Sequence, residues 1–201
     1  SPNGNDAIAF GSATGVTPVL VDNKINYNPG LEFNLDRLDL SGFNAGNDFE
    51  YIVVFQPNTT TVKGLFDSGG PGQLRMFRND TDKFELHFSG PQIGVTSLNA
   101  NETHIVGLDV DTSPGRSLDY YQDSFGVTTQ SSNASTDNVT WTTPNIGTVN
   151  GNTNTTDAYS GTIAEVIIYD TDITSAERNQ IFSYLAIKYG VTMDQSTANG
   201  S

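Results

Sequence analysis

The sequence predicts an all-β fold: a two-sheet antiparallel β-sandwich with one C-terminal α-helix. Three observations carry this expectation. Short β-type runs recur between clusters of Gly, Pro, Asn, Asp and Ser along most of the 201 residues. A single late segment, Thr174 to Gly190, joins a capping signature to helical periodicity. No shift in composition divides the chain, and all-β sandwiches of this length commonly form one domain. We therefore expect one domain over residues 1–192 and a polar tail over 193–201, with both ends reading as linkers of a module within a longer protein.

The elements follow in order. Phe49 to Gln56 is apolar on both faces, which predicts a central strand. Gly64 to Asp67 precedes the turn-rich Ser68 to Gly72. Leu74 to Arg78 and Phe84 to Ser89 flank Asn79 to Lys83, a hairpin signal. In the second of these runs Phe84, Leu86 and Phe88 face one way, Glu85 and His87 the other. His104 to Asp111 and Ser117 to Gln122 read as strands joined through the turn dipeptide Pro114-Gly115. Residues 126–157 are rich in Thr, Ser and Asn, with Trp141 and Ile146 as apolar anchors. They form either a long surface loop or short edge strands. Thr162 to Tyr169 is the next strong strand.

Thr174-Ser-Ala-Glu177 fits a capping box: each end residue can bond the other's backbone N–H. Ile181, Leu185 and Tyr189 share one helical face, with Phe182 beside them, and Gly190 suits the C-cap. The helix is expected to bury that stripe against the sandwich.

The formal net charge is -14. Such a chain is a poor partner for nucleic acid, whose affinity comes mainly from Lys and Arg at phosphates. It is also repelled by anionic membranes and by strongly anionic polysaccharides, unless a cation bridges. Two readings of the acidity stay open: a solvated surface that maintains solubility, or calcium held by clustered Asp residues. There is no cysteine, hence no disulfide framework and no thiol chemistry. No apolar run is long enough to span a bilayer as a helix, so no membrane insertion is expected.

Candidate chemistry is sparse. A retaining glycosidase needs two carboxylates ~5 Å apart, and no Glu-x-Asp-x-(x)-Glu pattern occurs along any strand. His87 and His104 alone cannot complete a typical zinc site. Catalysis would need distant carboxylates brought together, for example Glu85 with Asp67 or Asp109. For calcium the candidate ligands are Asp109, Asp111 and Asp67; Asp109 stands in an otherwise apolar strand and needs a partner or water. For sugar recognition the candidates are the rings of Trp141, Tyr121 and Tyr159 and the donors Arg75, Arg78 and His87. Trp141 either offers an exposed stacking face or anchors its loop in the core. Of Tyr120 and Tyr121, alternation turns one outward and one inward.

Gly161 to Asp170, Ser175 to Arg178 and Tyr184 to Gly190, with Pro2 to Phe10 at the other end, resemble the closing strand, helical tail and opening strand of laminin G-like, concanavalin A-like jelly-roll modules of bacterial surface proteins. The resemblance implies two antiparallel sheets, a frequent calcium ion and a ligand site on a concave face or its rim loops. The family hosts lectins, adhesin modules, peptide binders and some enzymes; with no paired-carboxylate pattern and no reason in the sequence for an oligomer, we expect an extracellular, monomeric, non-catalytic module that binds a glycan or polysaccharide. A structural or peptide-binding spacer, and a polysaccharide-active hydrolase or lyase, are the alternatives; fold alone does not choose among them.

Overall fold

The computed structural model describes residues 7–10, 17–59, 63–69, 74–78, 84–88, 92–95, 98–111, 116–133, 139–149 and 157–195. Two seven-stranded antiparallel sheets face each other. The first has β1 (Ala7–Phe10), β4 (Arg37–Leu40), β13 (Asn145–Ile146), β6 (Phe66–Asp67), β7 (Leu74–Arg78), β8 (Phe84–Phe88) and β9 (Gln92–Val95), in that spatial order. The second has β12 (Thr129–Asn133), β11 (Arg116–Gln122), β10 (His104–Asp111), β5 (Phe49–Pro57), β14 (Ser160–Tyr169), β3 (Asn28–Asn34) and β2 (Val19–Ile25). One helix occurs among the described residues, α1 (Ser175–Tyr189). The expected sandwich with a C-terminal helix is what the chain forms. Among the described residues no helix is long and apolar enough to cross a membrane.

The central strand β5 is apolar on both faces because it is covered on both. Phe49, Tyr51, Val53 and Phe55 point between the sheets, where they meet Phe33, Phe66, Val106, Leu108, Tyr120 and Tyr159. Ile52 and Val54 point outward and lie under α1, with Ile105, Tyr121, Phe182, Leu185 and Tyr189. Strands buried on both faces lose the polar alternation that marks half-exposed ones.

The helix carries its capping box: the Glu177 carboxylate accepts from the Thr174 N–H at 2.8 Å, and the Glu177 N–H donates to the Thr174 hydroxyl at 3.3 Å. Gly190 closes it in the left-handed conformation at φ 71°. The buried stripe is Arg178, Phe182, Leu185 and Tyr189, with Ile181 partly buried beside it. A register shift in β14 between Ile163 and Glu165 leaves Ile163 in the inter-sheet core. It places Glu165 on the helix side, where Glu165 accepts from Lys188 Nζ at 2.8 Å and from the Tyr189 hydroxyl at 2.7 Å.

Of the two readings of residues 126–157, edge-strand structure is present: β12 edges the second sheet, whereas β13 lies inside the first. The chain is still packed just past residue 192, the expected end of the domain. Met193 is buried against the helix-side core, and the Asp194 N–H donates to the Asp123 carbonyl at 2.6 Å.

Candidate functional site

The outward face of the first sheet concentrates polar groups in one row. Leu38, Leu40, Phe66 and Ile146 turn inward, so their neighbours Asp39, Asp67 and Asn145 turn outward. Strand register then aligns Ile8, Asp39, Asn145, Asp67 and Arg75 across five adjacent strands. A cleft of about 580 Å³ opens at one end of this row. Ile8, Arg37, Asp39, Thr142, Thr143 and Asn145 are among its lining residues.

Arg37 and Asp39 lie two apart on β4 and share its outer face. The Arg37 Nε lies 2.8 Å from Asp39 Oδ1, and Nη2 donates to Oδ2 at 3.2 Å. Asn145 is only 2% exposed although it points outward. Its Nδ2 donates to the Thr143 carbonyl at 3.2 Å, which fixes the amide orientation. Its Oδ1 is buried and has no hydrogen-bond partner among the described residues. A buried carbonyl oxygen without a donor is costly, and at the lining of a cleft the donor can be water or a ligand hydroxyl. Asp67, one strand further, is also buried; its Oδ1 accepts from the Gly69 N–H at 2.8 Å, and its Oδ2 lies 3.6 Å from Arg75 Nε. Gly69 sits at φ +73°, and a Cβ there would lie 2.5 Å from the Thr143 hydroxyl and 2.7 Å from its nitrogen. Only glycine lets the Ser68–Gly69 turn support the threonine wall of the cleft.

Trp141 stands directly behind that wall. It is half-buried, packs edge-on against Phe43 and Phe49 at centroid distances of 5.4 and 5.1 Å, and contacts Phe66 at 5.9 Å. Its Nε1–H donates to the Gly46 carbonyl at 2.6 Å. Of its two sequence readings, the loop anchor matches this packing. Tyr159 is fully buried between the sheets, with its hydroxyl donating to the Thr162 carbonyl at 3.2 Å, so its ring offers no face to a ligand. Tyr120 turns inward and Tyr121 outward, but Tyr121 is also buried because α1 covers it: its ring meets Phe182 edge-on at 5.8 Å and lies 4.7 Å from the Arg178 guanidinium. Arg75 lies in the row described above. The side chains of Arg78, His87 and Glu85 lie outside the described residues; the backbone register places His87 opposite Arg75.

The three aspartates expected to hold calcium do not converge. Asp67 is on the outer face of the first sheet, while Asp109 and Asp111 are on the helix side of the second. Asp109 has the partner its position demanded: Arg178 Nη2 donates to its Oδ2 at 2.6 Å. The same guanidinium holds Glu50, opposite Asp109 on β5, through contacts of 2.5 and 2.6 Å. Burial pushes the Glu50 carboxyl up to about 7 against the pull of Arg178. Burial likewise raises Asp109 to about 6, opposed by Arg178 and aided by Asp172, Asp119 and Asp111. No group of three or more metal-ligating side chains occurs among the described residues.

Sequence reasoning missed Arg37, Asp39 and Asn145. The available signal was Arg37-Leu-Asp-Leu40, whose alternation puts both charges on one face.

No family model matches the sequence, and no curated protein matches it. Similarity appears in solved structures. Domain 4 of AbnA, a GH43 extracellular arabinanase from Geobacillus stearothermophilus, solved with arabinotriose, superposes with a TM-score of 0.62 at 16% identity, over 83% of this chain and 82% of that one. The CBM40 of Ruminococcus gnavus IT-sialidase, bound to α2,3-sialyllactose, gives 0.62 at 10% identity, over 86% of this chain and 100% of that one. A SAP-like pentraxin from Limulus polyphemus gives 0.55 at 10% identity, over 76% and 75%. At these identities the likeness is one of fold: a jelly-roll β-sandwich.

Proposed function

We propose that this chain is a non-catalytic carbohydrate-binding module, and that its site is the cleft at the Arg37–Asp39–Asn145 end of the first sheet. The buried, outward-facing Asn145 with its unpartnered Oδ1 carries this reading. Around it stand planar and hydroxyl groups that suit a polyol: a guanidinium, a carboxylate and two threonines. Two of the structural neighbours were solved with oligosaccharides, which agrees with the proposal. The module is read as part of an extracellular protein.

The catalytic alternative has less support. Of the two expected pairs, Glu85 and Asp109 belong to different sheets, while Glu85 and Asp67 share the first sheet two strands apart, with the Glu85 side chain outside the described residues. In the cleft, Asp39 is engaged by Arg37. A protein-binding spacer is favoured by a different feature, the exposed Val19, Leu20, Tyr27, Tyr184 and Ile187 on β2, its hairpin tip and α1.

The test is a broad glycan-array screen of the chain, with calcium and again with EDTA, beside Asn145→Ala and Arg37→Ala. Binding that both substitutions abolish, in variants with near-native melting temperatures, supports the cleft. Loss of binding in EDTA would make calcium part of the site. Silence of the native chain in both conditions overturns the carbohydrate reading and favours the spacer.

A further inference from the structure

Resting on that reading, we infer that the cleft takes an uncharged glycan, and that Asp39 is the residue that sets this specificity. Charge and hydrogen-bond polarity both point this way. Among the described lining residues the only charged ones are Arg37 and Asp39, and they are paired with each other. Further along the row, Arg75 faces Asp67 in register with 3.6 Å between Nε and Oδ2. Each cation described on this face thus has a carboxylate neighbour, so the row has no net positive charge.

An anionic sugar requires a guanidinium to receive its carboxylate, sulfate or phosphate. Here the Asp39 carboxylate already engages Arg37, and displacing it would place two anions together, a juxtaposition that costs several kcal/mol. The net charge of -14 adds a long-range field of the same sign.

Hydrogen-bond polarity is the stronger argument. Of the buried atoms on this face that lack a well-aligned hydrogen bond, the donors Arg37 Nε and Arg75 Nε already stand 2.8 and 3.6 Å from carboxylate oxygens, whereas Asn145 Oδ1 is an acceptor, and the Asp39 oxygens in register with it are acceptors too. A carboxylate or sulfate brings only acceptors and cannot satisfy them. A sugar hydroxyl donates to Asn145 or Asp39 and can accept from an Arg37 N–H at the same time. Ile8, 55% exposed at the cleft edge and in register with Asp39, supplies an apolar surface for the C–H face of a ring.

The experiment compares the native chain with Asp39→Asn on an array of uncharged, sialylated, uronic, sulfated and amino-sugar glycans. The native chain should retain uncharged glycans only. The Asp39→Asn variant should gain acidic glycans, binding them about tenfold or more tighter than the native chain does. Titration of the native chain with its best array hit, between about 0.05 and 0.5 M salt, should give a nearly constant Kd; this arm needs no variant. Capture of acidic or cationic glycans in preference to uncharged ones, or a steep salt dependence, overturns the inference while leaving carbohydrate binding intact. Silence across the whole array overturns both.

Discussion

The Arg178 guanidinium, 4% exposed beneath α1, answers Glu50 and Asp109 at once and lies against the Tyr121 ring. Three elements, α1, β5 and β10, are joined by this one side chain. Removing one partner of a buried ion pair leaves an uncompensated charge and costs about 3–5 kcal/mol, whereas replacing both by apolar groups is often near neutral. Arg178→Met should therefore lower the unfolding free energy in urea by about that amount, and Arg178→Met with Glu50→Leu and Asp109→Asn, which removes both carboxylates the guanidinium answers, should recover most of it. A single variant that loses no more than a surface substitution would show that the pair does not anchor the helix. The sequence showed half of this: Asp109 in an apolar strand needed a partner. It did not name Arg178, which is 69 residues away. Trp141 carried the opposite difficulty. A lone Trp in a polar stretch suits a sugar platform or a loop anchor equally well, and only the rings of Phe43, Phe49 and Phe66 around it distinguish the two.

The β2–β3 hairpin shows how one element can serve another. Ile25 pairs with Asn28, so the turn is two residues, Asn26 and Tyr27, at φ 45° and 65°. Both are left-handed, as the favoured two-residue hairpin turn requires. Asn26 and Asn28 Nδ2 donate to the Lys188 carbonyl at 2.9 and 2.7 Å, so this turn also caps the C-terminal end of α1. Tyr27 is 87% exposed and gains little packing for its strained backbone. The left-handed conformation costs a side-chain-bearing residue about 1–2 kcal/mol, partly offset for glycine by its greater chain entropy. Tyr27→Gly should raise the stability by about 0.5–1 kcal/mol, read as a higher melting temperature; a lower one would mean that the tyrosine packs against something that stabilises the fold. Strands such as β5, β10 and β14 were readable because each has a long β-rich run. By contrast β2 and β3 are interrupted by Asn, Gly and Pro, and β4 is only four residues long with two charges, so no strand was expected at any of the three. The site was harder still, since its row of residues comes from five strands and exists only through their register. Alternation tells which residues share a face of one strand; it carries nothing about which strand lies next to it.

For the molecule as a whole, acidity and a few buried titratable groups set how stability depends on pH. His104 is 5% exposed; its Nδ1 lies 2.7 Å from Asp123 Oδ2 and its Nε2 3.2 Å from the Asn99 carbonyl. Burial pulls its pKa down, but the Asp123 and Asn99 bonds outweigh this, and the net shift is upward. Asp123 in turn binds the Ile105 N–H and, through its carbonyl, the Asp194 N–H, so this histidine helps tie the segment after α1 to β10. A group whose folded pKa is raised stabilises the fold fully below its unfolded value, about 6.5 for histidine, and loses that contribution as pH rises through the folded value. Glu50 and Asp109, raised to about 7 and about 6, also bind protons more tightly in the folded state. Between about pH 4 and pH 7 the unfolded chain therefore carries fewer protons at these sites, and the slope of unfolding free energy against pH is negative. Mutual repulsion within a chain of net charge -14 works in the same direction. The melting temperature at fixed ionic strength should accordingly fall as pH is raised from about 5 to about 8. His104→Gln should flatten the part of that fall above about pH 6.5 and leave the part below it, which belongs to Glu50 and Asp109. A native melting temperature that rises over this interval would reverse the sign assigned to these buried groups.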